Sequence, residues 1–152
     1  MKIYVETSAI SGSLDKDEPN MRKYSNEFIK LLKKKVHEGF ISTLVLEEIS
    51  KAHKNKTIAL KRIINKLQLK VLEIDEKVLD LSKKYIDAKL IPESYRADAI
   101  HISVASINSM DALVSWNLSH IVKLKTIKGV NEINRAEGYK MIAIVTPEMV
   151  IG

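Results

Sequence analysis

The sequence predicts an α/β protein of three layers, α/β/α, with a mostly parallel central sheet. Two observations carry that expectation. Short β-prone runs alternate with helix-length amphipathic segments, the order that builds a parallel sheet with helices on both faces. Residues 95–107 are apolar nearly all round, as a helix packed between layers must be. At 152 residues the chain is one domain, 1–152, and buries about two thirds of its unfolded surface without staples.

In chain order, Lys2-Ile3-Tyr4-Val5 is the first strand, and Glu6-Thr7-Ser8 follows with hydroxyls able to cap a turn or helix. Residues 11–20 are polar, contain Gly12 and Pro19, and read as a loop. Phe28, Ile29, Leu31, Leu32 and Val36 recur at helical spacing, predicting a helix over 22–37 that stops at Gly39. A strand follows at 39–42, then helices at 44–53 and 57–66, a strand at 70–74 and an amphipathic helix at 76–88. Pro92 breaks the chain before the buried helix of 95–107. A short apolar strand at 112–115, a short helix at 133–138 and a last strand at 141–145 complete the reading.

Composition excludes several chemistries. No cysteine is present, so there is no disulfide scaffold, thiol nucleophile or cysteine-ligated zinc. Five glycines form neither a dinucleotide fingerprint nor a phosphate loop. No apolar run approaches the ~20 residues of a membrane span. Glu6 interrupts the start before any apolar region of signal-peptide length, so a cytoplasmic protein is expected. The net charge of +6 favours a polyanionic partner without identifying one.

Chemistry in an open parallel sheet sits beyond the carboxyl ends of its strands. Glu6 follows the first strand, Glu47 and Glu48 lie in the helix after the second, Asp98 opens the buried helix, and Asn117 follows the strand ending at Ser115. On a helical wheel started at Leu44 the apolar arc centres near about 100°, with Glu48 at about 40° and Glu47 near about 300°. Glu48 thus faces the core side, as a paired, protonated or metal-bound acid or as one snorkelling at the rim, while Glu47 faces water. Asp98 reads either as a helix-opening acid or as an acid at the mouth of the sheet. Asp111 precedes its strand, belongs at the opposite edge, and reads as a turn or capping residue.

Ile3-Tyr4-Val5-Glu6-Thr7-Ser8, the segment 41–49 ending in Glu47-Glu48-Ile49, Arg96-Ala97-Asp98-Ala99-Ile100-His101-Ile102 and Leu113-Val114-Ser115-Trp116-Asn117 together resemble PIN-domain nucleases, most of all the VapC-like toxins of prokaryotic toxin–antitoxin pairs. The four motifs stand in that family's order and cover nearly the whole chain. The resemblance implies a PIN-like fold, RNA hydrolysis, a homodimer and a cognate antitoxin seated in the acidic groove. It maps catalytic positions onto Glu6, Glu48, Asp98 and Asn117, with Glu6 and Asp98 holding Mg²⁺ or Mn²⁺ directly. Glu48 would act through a second site or an ordered water, and Asn117 would orient water or phosphate. Two positions depart from the pattern: Glu6 stands where the family has Asp, and Asn117 where it often has Asp.

Thr7, Ser8 and Ser115 flank this set, either as phosphate- or water-positioning hydroxyls or, for Thr7 and Ser8, as helix caps. From Ile49 to Leu72 there is no acid, whereas Lys51, Lys54, Lys56, Lys61, Arg62, Lys66 and Lys70 occur. This stretch is expected beside the site, as a phosphate-binding surface or a solvated helical face. It has no interleaved aromatic residues, so base stacking is not expected. His101 reads as a core histidine with a hydrogen-bond partner, His120 as a cap or a groove residue, and Trp116 as packing. Two other readings remain open: a degraded PIN-like module that binds RNA or protein, and an unrelated α/β protein whose acids are caps.

Overall fold

Lys2–Val5 (β1), Glu38–Ser42 (β2), Lys70–Leu72 (β3), Ala112–Val114 (β4) and Ala143–Val145 (β5) form one sheet in the order β3-β2-β1-β4-β5, and every pairing is parallel. The structure is a computed structural model and describes residues 1–151. Ile3, Tyr4 and Val5 are fully buried, as are Leu113 and Val114, because a strand covered on both faces has no solvent side to leave polar. The chain runs outward from β1 through β2 to β3, then returns to the other side of β1 to lay down β4. The β1–β4 seam is therefore the point where the strand order reverses, and the crevice beyond its carboxyl ends is where such sheets place ligands.

The helices are Thr7–Ser11 (α1), Pro19–Lys33 (α2), Thr43–Ser50 (α3), Lys54–Leu67 (α4), Glu76–Asp87 (α5), Arg96–Ile107 (α6), Leu124–Ala136 (α7) and Pro147–Ile151 (α8). They pack as two groups, α2 with α1, α4 and α8, and α5 with α6 and α7. The α6 helix buries Ala99, His101, Ile102, Ser103, Val104, Ala105 and Ser106, so its nearly unbroken apolar surface corresponds to a covered helix.

Several expected elements differ, each for a local reason. The loop expected over 11–20 is largely helical: α1 reaches Ser11, Gly12–Leu14 forms a 3-10 turn, and α2 begins at Pro19, whose missing N–H is harmless in a first turn. Gly12 is required by packing: a Cβ there would stand 2.7 Å from Ser25 Oγ and 3.0 Å from Trp116 Nε1. Those two atoms are themselves hydrogen-bonded at 2.8 Å, so Trp116 packs the loop after β4 against α2. The α2 helix ends before Lys35, which adopts φ 59°, and Val36 is left exposed rather than on the core face.

The helix expected from 57 begins at Lys54, and Thr57 Oγ1 donates back to the Ile49 carbonyl at 2.7 Å, joining α3 to α4. The short helix expected over 133–138 is the longer α7. Its interior Gly129 hides it in a propensity reading, yet a Cβ there would lie 2.3 Å from Leu90 Cδ2, so the glycine lets α7 close onto the chain after α5. The terminal α8, which no periodicity in the sequence announced, packs on α2.

Candidate active site

Glu6 leaves β1 with its amide still on the ladder, donating to the Val114 carbonyl at 3.1 Å. Its side chain then caps α1: Oε2 accepts from Ser8 N at 2.7 Å and from Ser8 Oγ at 2.5 Å. Ser115 Oγ, just past the end of β4, adds a third bond at 3.2 Å. The carboxylate caps the helix, where the sequence offered the Thr7 and Ser8 hydroxyls as caps, and Ser8 and Ser115 hold the carboxylate. Glu6 is only 6% exposed, and the cap is what keeps so buried an acid satisfied.

Glu48 projects from α3 toward the same crevice, with a side chain 31% exposed, against 61% for Glu47, which faces water and meets Lys51. Thr7 Oγ1 donates to Glu48 Oε1 at 2.5 Å. His101, fully buried on α6, reaches the same oxygen through Nε2 at 2.7 Å. A carboxylate only accepts, so Nε2 carries the proton. His101 Nδ1 in turn meets Tyr4 Oη at 2.7 Å, and that hydroxyl meets Ser42 Oγ at 2.8 Å. A buried chain from Ser42 through Tyr4 and His101 to Glu48 thus ties the ends of β1, β2 and α3 to α6. Among the described residues no buried side-chain polar atom lacks a partner.

Burial alone would push His101 down. The Glu48 hydrogen bond and the charges of Glu6, Glu48 and Asp98 outweigh it and hold the imidazole above its ordinary 6.5. Burial likewise would raise Glu48, but the bonds from His101 and Thr7 prevail and keep it below 4.5. The signs follow from linkage. The raised histidine contributes stability below 6.5 that is lost as pH climbs through its folded-state value. The depressed glutamate contributes above 4.5 and loses its share as pH falls. In metal-free buffer the melting temperature is therefore expected to fall as pH rises above 6.5, and His101→Gln is expected to flatten that slope in thermal melts.

Asp98, in the first turn of α6, accepts from His120 Nδ1 at 3.1 Å. Asn117 does not reach into the crevice through its oxygen: Oδ1 accepts the His120 amide at 3.0 Å, fixing the loop that carries His120. Asp111 lies at the opposite edge of the sheet, bonded to the Lys2 amide at 2.7 Å and to Lys140 at 2.8 Å.

Three acids from distant segments thus stand at the end of β1, in α3 and in the first turn of α6, and of these Glu48 touches His101. Each engages protein donors through one oxygen: Oε2 of Glu6, Oε1 of Glu48 and Oδ2 of Asp98. The second oxygen of each has no partner among the described residues. This all-oxygen set suits a divalent cation that keeps most of its waters and takes one or two carboxylates. It is not a closed cage, because among the described residues no three of His, Asp and Glu stand together in a ligating group. His101 is the buried, hydrogen-bonded core histidine the sequence suggests, and His120, read as a cap or groove residue, holds Asp98; that these two partners would be acids of the set was not legible in the sequence.

The basic stretch divides. Lys70 pairs with Glu38 at the far edge of the sheet, away from the site. Lys51 stands by Glu47 at 3.5 Å. Lys54, Lys56, Lys61 and Arg62 are exposed on α4 and have no acidic partner among the described residues. The α4 helix packs against α1, the helix that Glu6 caps.

No protein-family model matches the sequence, and no curated protein matches it. Among solved structures the fold is similar to that of VapBC2 from Rickettsia felis bound to a DNA fragment from their promoter, with a TM-score of 0.58 and 15% identity over 96% of this chain and 98% of that one. The fold is PIN-like. The likeness spans both chains almost completely, so the five-stranded sheet and its flanking helices belong to that fold from end to end. Among the described residues no helix is long and apolar enough to cross a membrane.

Proposed function

We propose that this PIN-like chain is a metal-dependent endoribonuclease, the toxin of a toxin–antitoxin pair, acting at the crevice beyond β1 and β4. The observation that carries this reading is that Glu6 after β1, Glu48 in α3 and Asp98 in the first turn of α6 are each anchored by one oxygen, with the other unengaged. Glu6 and Asp98 would hold Mg²⁺ or Mn²⁺. When bound, the cation supplies polarisation of the scissile phosphodiester and acidification of the attacking water.

The chain's own groups do the rest. Ser8 and Ser115 hold Glu6 in place, and His120 holds Asp98. Thr7 and His101 fix Glu48, whose second oxygen orients the water. Asn117 keeps its Nδ2 amide as a donor toward a phosphate oxygen, while its Oδ1 positions His120. Lys54, Lys56, Lys61 and Arg62 on α4, with Lys51 at its approach, attract the RNA backbone without reading sequence. An acidic crevice of this kind also suits an arginine from a cognate antitoxin, which would pair with the same carboxylates. A homodimer working in the cytoplasm completes the reading.

Purified chain, freed of any antitoxin, is expected to cleave single-stranded RNA with Mn²⁺ or Mg²⁺ and to stop when a chelator is added. Absence of chelator-sensitive cleavage sinks the proposal. A second reading, an idle PIN-like module that binds RNA or protein, is favoured by the burial of Glu6 and by its three hydrogen bonds. Glu6→Asp separates the two. Cleavage by the wild type at a rate comparable to the variant supports the nuclease, whereas an increase of about 100-fold in the variant supports the idle module.

A further inference from the structure

The crevice has an aromatic wall that the acidic chemistry does not use. Tyr95 closes the 3-10 turn Glu93–Tyr95 just before α6, and half of it (50%) is exposed. One face of its ring lies against the His120 imidazole, with centroids 4.0 Å apart and planes inclined by 38°. His120 is held from three sides: its Nδ1 by Asp98, its amide by Asn117 Oδ1, and its carbonyl by Thr126 Oγ1 at 2.9 Å. A ring resting on so fixed a partner is a rigid surface, which loses little freedom when something stacks on it. The Tyr95 hydroxyl has no partner among the described residues, so neither burial nor a hydrogen bond accounts for an aromatic residue here. It stands three residues from Asp98, one of the carboxylates that would act on phosphate, and shares His120 with it.

The geometry points to Tyr95, backed by His120, as a stacking platform for an unpaired RNA base next to the scissile phosphate. The inference rests on the nuclease reading and adds to it how the strand is held: an unpaired base is gripped by its face rather than read by its edges. The sequence holds no aromatic residue within the basic stretch, so stacking was not expected there. The structure brings the ring from the turn before α6 and its support from the loop after β4. The cationic surface on α4 and the aromatic face at Tyr95 then lie on different elements of the fold.

Binding is measured first, in chelator so that no strand is cut, by fluorescence anisotropy with a short single-stranded oligoribonucleotide of mixed sequence. Tyr95→Ala is expected to weaken binding roughly 5- to 150-fold, and Tyr95→Phe to restore it to near the wild-type value. Tyr95→Trp is expected to bind like the wild type and to show quenched indole emission with the single strand, but not with its duplex or with inorganic phosphate. Tyr95→Ala binding within two-fold of the wild type overturns the inference, as does an unquenched Tyr95→Trp that still binds. If the wild type cleaves RNA in Mn²⁺ and Tyr95→Ala cleaves it equally well, the stacking platform falls and the nuclease stands. If the wild type neither binds nor cleaves RNA, both fall, and a protein ligand becomes the occupant of this wall.

Discussion

Asp98→Asn is expected to lower kcat/KM for RNA cleavage by at least about 100-fold while leaving the fold intact. Losing a residue that merely orients a metal ligand costs about 10- to 100-fold, and a ligand costs at least as much. The substitution is nearly isosteric. The retained side-chain oxygen can still accept from His120 Nδ1, now 3.1 Å from Oδ2, so the loop after β4 keeps its support. What disappears is one full negative charge at the crevice. The effect should therefore appear in the rate and in the metal concentration required, with the melting temperature changed little. Kinetics across a Mn²⁺ titration, read beside a thermal melt, provide the check. Full activity in Asp98→Asn would remove Asp98 from the site and return it to the role of a helix-opening acid.

The second large effect is on stability. His101→Leu is expected to destabilise the fold by about 2–4 kcal/mol, and so to lower the melting temperature by roughly 5–15 °C. Leucine fills much of the space, so the loss is polar rather than a cavity. Tyr4 Oη keeps only Ser42, and Glu48 keeps only Thr7 and water. Neither group can easily turn elsewhere, since Tyr4 is completely buried and Glu48 is anchored on a helix. Glu47→Gln, one position from Glu48 and facing solvent, is expected to change stability by less than about 0.5 kcal/mol. Urea unfolding of the two variants side by side tests whether the buried chain, and not α3 in general, carries the energy. Equal midpoints would mean the Tyr4–His101–Glu48 chain contributes no net stability.

The architecture was largely legible because it depends on local patterning. Alternation of β-prone and amphipathic runs located all five strands, and the wheel that separates Glu48 from Glu47 needs nothing beyond 3.6 residues per turn. The errors fall where a tertiary contact overrides a residue's own preference. Gly129 looks like an interruption until Leu90 occupies the space its side chain would take. Gly12 looks like a loop residue until Trp116 and Ser25 are seen against it.

The candidate site divides along the same line. That Glu6, Glu48 and Asp98 are acids at strand and helix ends is written in one dimension, and so is the inward side of α3. How those acids are held is not. Ser115 reaches Glu6 across 109 positions, His101 reaches Glu48 across 53, and His120 reaches Asp98 across 22. Those distances close only once β4 pairs with β1 and α6 packs behind them, and nothing in the spacing of single residues encodes that order. Periodicity reports which way a side chain faces on its own element. Which partner waits there is settled by the burial energy of the whole sheet, the reason a capping glutamate, a buried histidine chain and a tyrosine on an imidazole became visible only after folding.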